Sequence, residues 1–142
     1  MVLMLLRDRL PNAGSWNSLG DKISPGETPL ECVDRKVLEE ARATFSPEEI
    51  RSAGIVRWTS GVDPTGPGTG MYAFVAEVPE SSATGDRRTP EGLLSCKPLA
   101  WASDHANEFV VSSVPKFLPG MLGETGPDTA ASTLAGVTAS RP

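Results

Sequence analysis

The chain has 142 residues, a mass of 15.0 kDa and a net charge of -5 from 13 Lys+Arg and 18 Asp+Glu. This length suits one domain, and the acidic balance argues against a nucleic acid polymer as partner, because proteins that bind such polymers concentrate positive charge. The apolar run near the N-terminus ends at Arg7 and is too short to span a membrane, so we expect a cytoplasmic protein without a membrane partner.

Strand-like segments occupy much of the chain. Residues 2–6 form a continuous apolar run that is typical of a buried strand. The composition also predicts strands over residues 16–19, 53–59, 71–78 and 93–99, and a polar connection over 61–70. Residues 110–122 are apolar but contain Pro115 and Pro119, so we expect a short, interrupted helix there.

The clearest helix signal follows residue 27. Thr28 suits the N-cap, Pro29 suits the first helical position, and Glu31 completes a capping box. We expect this helix to run to about Ala43, with a core face formed by Leu30, Val33, Val37 and Ala41. Lys36, Glu39 and Glu40 fall together on a neighbouring arc, because residues three and four apart share a side.

The C-terminal region has a different composition. From residue 124 onward, large apolar side chains are almost absent. We therefore predict a folded domain over residues 1–123 and a mobile tail over residues 124–142. Strands, one well-capped helix, further strands and a final helix predict an α/β or α+β sandwich with a mixed sheet.

Residues 20–43, GDKISPGETPLECVDRKVLEEARA, resemble the Nudix box, whose pattern is G-x5-E-x7-R-E-U-x-E-E-x-G-U with U aliphatic. The matching positions are Glu27, Arg35, Val37, Glu39, Glu40 and Ala43. Asp21 and Arg42 stand where the pattern has glycine, and Lys36 stands where it has glutamate. Outside the box, LLRDR, AGSWNSLG, AGIVRWT, MYAFVAEV, TPEG and KFLPGML resemble, in order and spacing, the MutT-like, 8-oxo-dGTP diphosphatase branch.

The resemblance implies a fold and an activity. The fold would be a Nudix α/β/α sandwich with a mixed sheet that lacks the first N-terminal strand. The activity would be Mg2+-dependent cleavage, with Mn2+ as an alternative ion, of the diphosphate linkage in a nucleoside triphosphate or a related nucleoside diphosphate derivative. Because relatives of this type are often dimers, the resemblance also implies a homodimer.

By the same resemblance, particular residues acquire expected roles. Glu39, Glu40 and Glu91 would be catalytic residues. Lys36 departs from the family pattern, but it is also a candidate catalytic residue, because a lysine beside phosphates can stabilise transition-state charge directly. Gly20, through its carbonyl oxygen, would hold the metal together with Glu39, Glu40 and Glu91, and Glu91 could instead act as a base. Glu27 and Arg35 match an ion pair that supports the loop against the helix.

Asn17 and Lys22 are the predicted substrate-binding residues. Asn17 matches an asparagine that recognises an oxidised purine in this branch, since an amide can donate and accept at once. An equally good alternative is that Asn17 satisfies backbone groups of its own loop. Trp101 and Phe109 could stack on a base, although an aromatic residue in such a place is more often part of the core.

Lys36 places an ammonium group where a third carboxylate is expected. An exposed Lys36–Glu40 pair one turn apart would contribute only ~0.3 to 0.5 kcal/mol and could yield to a metal. Each lost unit-charge attraction to the metal would be about 4 kcal/mol at ~4 Å and an effective dielectric near 20. Weakened activity, absent activity and activity that uses Lys36 all stay open, and the alternative function is a degenerate module that binds a nucleotide or a protein without hydrolysis.

The two replaced glycines have milder interpretations. Asp21 tolerates unusual backbone angles and could supply a substitute carboxylate near the metal. Arg42 lies where a glycine would end the helix, so we expect a longer helix with arginine at its negative end. Local strain without functional meaning is the alternative at both positions.

Overall fold

The structure of this protein is a computed structural model that describes residues 1–58, 69–79, 81, 85–123 and 133–140. The strands in these ranges are β1 (Val2–Arg7), β2 (Trp16–Asn17), β3 (Leu19–Lys22), β4 (Ile50–Trp58), β5 (Thr69–Val78), β6 (Arg87–Thr89), β7 (Gly92–Lys97) and β8 (Thr133–Ser140). The helices are α1 (Pro29–Ala41), α2 (Leu99–Ala102) and α3 (Val114–Leu122), with a 3-10 turn over Pro47–Glu49.

The described strands form one mixed sheet with the order β4-β5-β8-β1-β7-β6. Strand β8 pairs antiparallel with β5 and parallel with both β1 and β3, while β2 is paired with β1. The predicted mixed sheet is therefore confirmed. Of the predicted connection over residues 61–70, only the last two residues lie within the described part, where they belong to β5.

Alternation along β1 divides the core into two layers, because successive strand side chains point to opposite faces. Leu3 and Leu5 pack with the buried face of α1, whereas Val2 and Met4 pack with α2 and α3. The α1 face contains Cys32, Val33, Val37 and Ala41, and the opposite layer contains Val114, Leu118 and Met121. The result is the expected α/β/α sandwich.

Helix α1 begins as the sequence predicts. Thr28 Oγ1 accepts a hydrogen bond from Glu31 N at 3.2 Å, and Glu31 Oε2 accepts one from Thr28 N at 2.7 Å. A cap of this kind stabilises a helix by about 1 kcal/mol. The helix ends earlier than predicted, at Ala41, because Arg42 takes the left-handed conformation itself, with φ 51° and ψ 33°.

The prediction of a tail is wrong for residues 133–140. They form β8, which pairs with three other strands inside the sheet. Strand β8 consists of TLAGVTAS, whose small residues carry little of the apolar signal on which strand prediction relies. The other residues of the predicted tail lie outside the described ranges.

None of the helices in the described ranges is long and apolar enough to cross a membrane.

Candidate functional site

Arg35 joins the loop before α1 to strand β3. Its Nε and Nη2 donate to the two carboxylate oxygens of Glu27 at 2.8 and 3.1 Å. Its Nη1 donates to Asp21 Oδ2 at 2.9 Å, and its Nη2 contacts the carbonyl oxygen of Lys22 at 3.4 Å. The bidentate pair with Glu27 fixes the loop geometrically, because the planar guanidinium matches a carboxylate edge. The structure thus brings together the two residues predicted to support the loop.

Asp21 lies in β3 with an ordinary extended backbone rather than in a strained loop. Its carboxylate binds Arg35, and this contact explains why an acidic residue is accommodated at a position where glycine was expected. Burial raises the pKa of Asp21. The hydrogen bonds that Asp21 accepts from Arg35 and from the backbone N–H of Lys22 lower the pKa by more than burial raises it, so the net shift is downward. Asp21 is therefore a partner of Arg35, and the prediction of local strain at this position is wrong.

The Glu27–Arg35 pair gives the protein a defined acid sensitivity. Hydrogen bonds from Arg35 and from Ser24 N lower the pKa of Glu27 from 4.5 to about 2. Because the pKa is depressed in the folded state, the pair contributes its full stability above pH 4.5 and loses it as the pH falls toward 2. We expect the difference in Tm between the native chain and Glu27→Gln to be constant above about pH 5 and to shrink below it.

Thermal unfolding followed by circular dichroism between pH 7 and pH 3 measures this difference. Glu48→Gln is the matched control, since it removes the same charge from an exposed position. A Tm difference between native and Glu27→Gln that stays unchanged down to pH 3 would contradict the assignment of the depressed pKa to Glu27.

Lys36 is the most deeply buried charged side chain in the described ranges, and only 2% of it is exposed. Its Nζ lies 2.8 Å from Glu40 Oε1 on the same helix and 2.8 Å from Glu91 Oε1 in the turn between β6 and β7. Glu40 is equally enclosed, whereas a third of the Glu91 side chain is exposed. We call Lys36, Glu40 and Glu91 the buried triad.

The burial of the Lys36–Glu40 pair corrects the expectation of an exposed helical pair. An exposed pair is screened by water and yields easily, whereas a buried ammonium group that loses its carboxylates has no solvent to replace them. Lys36 is therefore held in place by the surrounding protein, and a metal ion could not displace it at the small cost that an exposed pair implies.

The electrostatics of the buried triad follow from this enclosure. Burial lowers the pKa of Lys36, but contacts with Glu40 and Glu91 outweigh it and raise the pKa overall. Burial raises the pKa of Glu40 to about 7, against the opposing effect of Lys36. For Glu91, burial raises the pKa, but Lys36 lowers it more strongly, so the net shift is downward. Lys36 and Glu91 thus form a charged pair at neutral pH, and Glu40 holds a proton more readily than an ordinary glutamate.

The remaining predicted metal ligands do not complete a site around the triad. Glu39 is 54% exposed, and its nearest ionic contact is with Arg35 Nη1 at 3.7 Å. Among the described residues, no three histidine, cysteine, aspartate or glutamate side chains form a group that could hold a metal. Mg2+ needs several free oxygen donors. The side chains as arranged do not fit it, because Lys36 already engages Glu40 and Glu91.

A cleft of about 710 Å³ is lined in part by three of the predicted site residues, Asn17, Gly20 and Lys22. Among the residues that the structure describes, the lining contains one acidic residue, Asp21, and four cationic residues, which are Arg7, Lys22, Arg57 and Lys116. Val56, Met71, Val111 and Phe117 supply an apolar wall. In a chain with a net charge of -5, this local excess of positive charge would attract an anion more strongly than a cation.

The cationic cleft and the buried triad meet along β1. Arg7, at the end of β1, lines the cleft and also lowers the pKa of Glu91. The adjacent Asp8 N donates a hydrogen bond to the Glu91 carbonyl oxygen at 2.9 Å. Sequence reasoning did not identify Arg7, Arg57 or Lys116. For two of these residues the sequence does contain a signal, which is a charged residue near the C-terminal end of an apolar strand. Arg7 is the last residue of β1, and Arg57 is the second-last residue of β4.

Three aromatic and polar predictions can be placed. Asn17 Oδ1 accepts a hydrogen bond from Ser18 N at 2.9 Å, so its oxygen satisfies the local backbone while the residue also lines the cleft. Trp101 packs edge-to-face against Trp16, with ring centroids 6.2 Å apart, in the α3 layer of the core. Phe109 is 69% exposed and, like Trp101, is absent from the lining that the described residues provide.

The family model for the NUDIX domain matches residues 2–106, about three quarters of the chain. No solved structure matches the chain. The match includes β1, β3, α1 and the turn that carries Glu91, so it covers the buried triad. It also covers three of the four cationic residues that line the cleft in the described part of the chain, Arg7, Lys22 and Arg57.

Proposed function

Because this chain belongs to the NUDIX domain family, we propose that it is a Nudix-type pyrophosphohydrolase that binds a nucleoside diphosphate derivative in the cationic cleft. The observation that carries this proposal is the lining of the cleft, which among the described residues includes four cationic side chains and one carboxylate. A volume of about 710 Å³ falls within the usual range for small-molecule sites. Cations and apolar wall together suit a ligand with a charged end and a flat, less polar end.

The cations are expected to hold the phosphate groups. Arg7 and Lys22 are the last residues of β1 and β3, and Arg57 and Lys116 belong to β4 and α3. Charge-assisted hydrogen bonds to phosphate oxygens are among the strongest that proteins make. In hydrolysis, the oxygen of a water molecule would form a new bond to a phosphorus atom of the P–O–P link and lose a proton to the solvent, while the bridging P–O bond breaks. The cleft cations would stabilise the negative charge on the departing oxygen.

The nucleoside is expected to lie along the apolar wall formed by Val56, Met71 and Phe117. Asn17 lines the same cleft, and its amide could recognise a purine edge. This position supports an oxidised purine nucleotide, such as 8-oxo-dGTP, as the first substrate to examine. From a triphosphate, the products would be a nucleoside monophosphate and pyrophosphate.

The buried triad favours a second function, binding of the nucleotide without hydrolysis. Lys36 Nζ lies 2.8 Å from Glu40 Oε1 and 2.8 Å from Glu91 Oε1, and these are two of the three carboxylates that the family resemblance assigns to catalysis. A chain with an intact cleft and an engaged carboxylate pair would retain ligand affinity while losing turnover. Release of phosphate or pyrophosphate from a nucleotide panel, measured beside equilibrium binding with and without Mg2+, separates the two functions.

Substitutions in the cleft test the site itself. Replacing Lys22 or Lys116 by alanine is expected to weaken nucleotide binding at least about tenfold each, because a hydrogen bond to a charged group contributes about 1.5 to 3 kcal/mol. Arg88→Ala is the matched control. Arg88 is a cation on the neighbouring β6 but it is 70% exposed, paired with Asp8, and outside the cleft lining. Equal affinities for all three variants would show that the nucleotide binds elsewhere.

A further inference from the structure

The buried triad joins two separate parts of the fold through charged side chains. Lys36 and Glu40 belong to α1, and Glu91 belongs to the turn between β6 and β7. A second cation strengthens the same junction, since Arg87 Nη2 on β6 donates to the Glu40 carbonyl oxygen at 2.6 Å. Helix α1 is thus joined to the β6–β7 hairpin through cationic nitrogen atoms.

The position of Lys36 Nζ is that of a bridging cation. It lies at the same distance, 2.8 Å, from one oxygen of Glu40 and one oxygen of Glu91. An ammonium group has three N–H donors and no acceptor, so it can serve two carboxylates at once. The Lys36 side chain is only 2% exposed, and the ammonium group therefore has no direct route into solvent if another cation enters.

A divalent ion between the same carboxylates would face two obstacles. It would have to replace both contacts of Lys36, and it would then lie within a few ångströms of a buried ammonium group of the same charge sign. Like charges repel more strongly where water is excluded. The same two carboxylates cannot accommodate both cations.

We propose that the ammonium group of Lys36 takes the place of a divalent metal ion between Glu40 and Glu91, so that this chain holds the two carboxylates without a metal. The consequence for the cleft is that its own cations must neutralise the phosphates of the ligand. This consequence rests on the proposed function for the class of ligand, whereas the statement about Lys36 does not.

Binding of Mn2+ to the protein without nucleotide tests the proposal directly. Electron paramagnetic resonance measures the free ion in titrations of the native chain, Lys36→Glu and Arg88→Glu. The two variants make the same change in net charge, and Arg88 is exposed on β6 near the same turn. We expect Lys36→Glu to bind Mn2+ at least about a hundredfold more tightly than the native chain or Arg88→Glu. Native binding as tight as that of Lys36→Glu would overturn the proposal.

Lys36→Gln provides a second variant in case Lys36→Glu does not fold. Its amide keeps hydrogen-bond donors for Glu40 and Glu91 but carries no charge. If Lys36→Glu is unfolded without metal, Mn2+ is expected to restore its circular dichroism signal and to raise the Tm of Lys36→Gln. No response of either variant to Mn2+ would overturn the proposal.

Pyrophosphate titrations of the native chain separate this proposal from the proposed function. We expect saturable binding in the presence of EDTA, because the cleft cations act without a metal. Binding of pyrophosphate only when Mn2+ is present would contradict the role of Lys36. No binding under either condition would contradict the ligand class of the cleft, and the Mn2+ titration would still decide the role of Lys36.

Discussion

Lys36→Met is expected to lower the free energy of unfolding by about 3 kcal/mol, because it leaves the carboxylates of Glu40 and Glu91 together without a cation. The methionine fills most of the volume of the lysine stem, so the loss reports the charge rather than a cavity. For a chain of this length the corresponding fall in Tm is roughly 10 °C. Urea unfolding at neutral pH, followed by tryptophan fluorescence and circular dichroism, measures the change.

Two further variants identify the cause of the Lys36→Met effect. Arg88→Met removes a cation from an ion pair with Asp8 that is 70% and 50% exposed, and it is expected to change stability by less than about 0.5 kcal/mol. The double variant Lys36→Met/Glu40→Gln no longer contains the buried, unpaired carboxylate of Glu40. We therefore expect it to recover part of the free energy of unfolding that Lys36→Met loses. A double variant that is less stable than Lys36→Met by the full effect of Glu40→Gln would contradict the coupling.

Gly92→Ala is expected to prevent folding or to destabilise the protein by at least about 3 kcal/mol. Gly92 begins β7 with φ +152°, and a Cβ atom there would lie 1.8 Å from the Leu6 carbonyl oxygen and 2.9 Å from the Leu6 carbonyl carbon. These are backbone atoms of the paired strand β1, so the clash can be relieved only by shifting the sheet. The yield of folded protein and its urea midpoint measure the effect.

Gly120→Ala is the matched control for Gly92→Ala. Gly120 lies in α3, and apart from its chain neighbours and the adjacent helix backbone, no atom of the described residues lies within 4 Å of the position that its Cβ would take. Alanine favours a helix over glycine, so this variant is expected to gain up to about 1 kcal/mol. If Gly92→Ala folds with native stability, the short distance between the Gly92 backbone in β7 and the Leu6 backbone in β1 would be contradicted.

Features set by neighbours in sequence could be predicted, and features set by distant contacts could not. The capping box of α1 depends on Thr28 and Glu31, which are three residues apart, and the sequence identifies both. The end of α1 was placed too late because glycine is the usual residue in the left-handed conformation, and here Arg42 adopts it. Strand β8 was missed because pairing with β5, β1 and β3 organises a segment of small residues.

The same distinction applies to the candidate site. The helical spacing of Lys36 and Glu40 predicts their contact, and Glu27 and Arg35 were paired through the family pattern. The burial of Lys36 could not be predicted, since it depends on Glu91 reaching across from the β6–β7 turn. The cationic cleft is formed by β1, β3, β4 and α3, and its charges converge only when these elements are assembled.

The place of β8 in the sheet constrains the order in which the protein can form during its synthesis. Val2 pairs with Leu134, and Gly20 pairs with Thr138. Strands β1 and β3 are synthesised early, and they can pair with β8 only after more than a hundred further residues have been added. Closing so long a loop costs entropy before any pairing is gained. The ribosome must therefore release residues 133–140 before the sheet can be completed, and until then β5 and β3 expose unpaired edges that a chaperone or a second nascent chain could occupy.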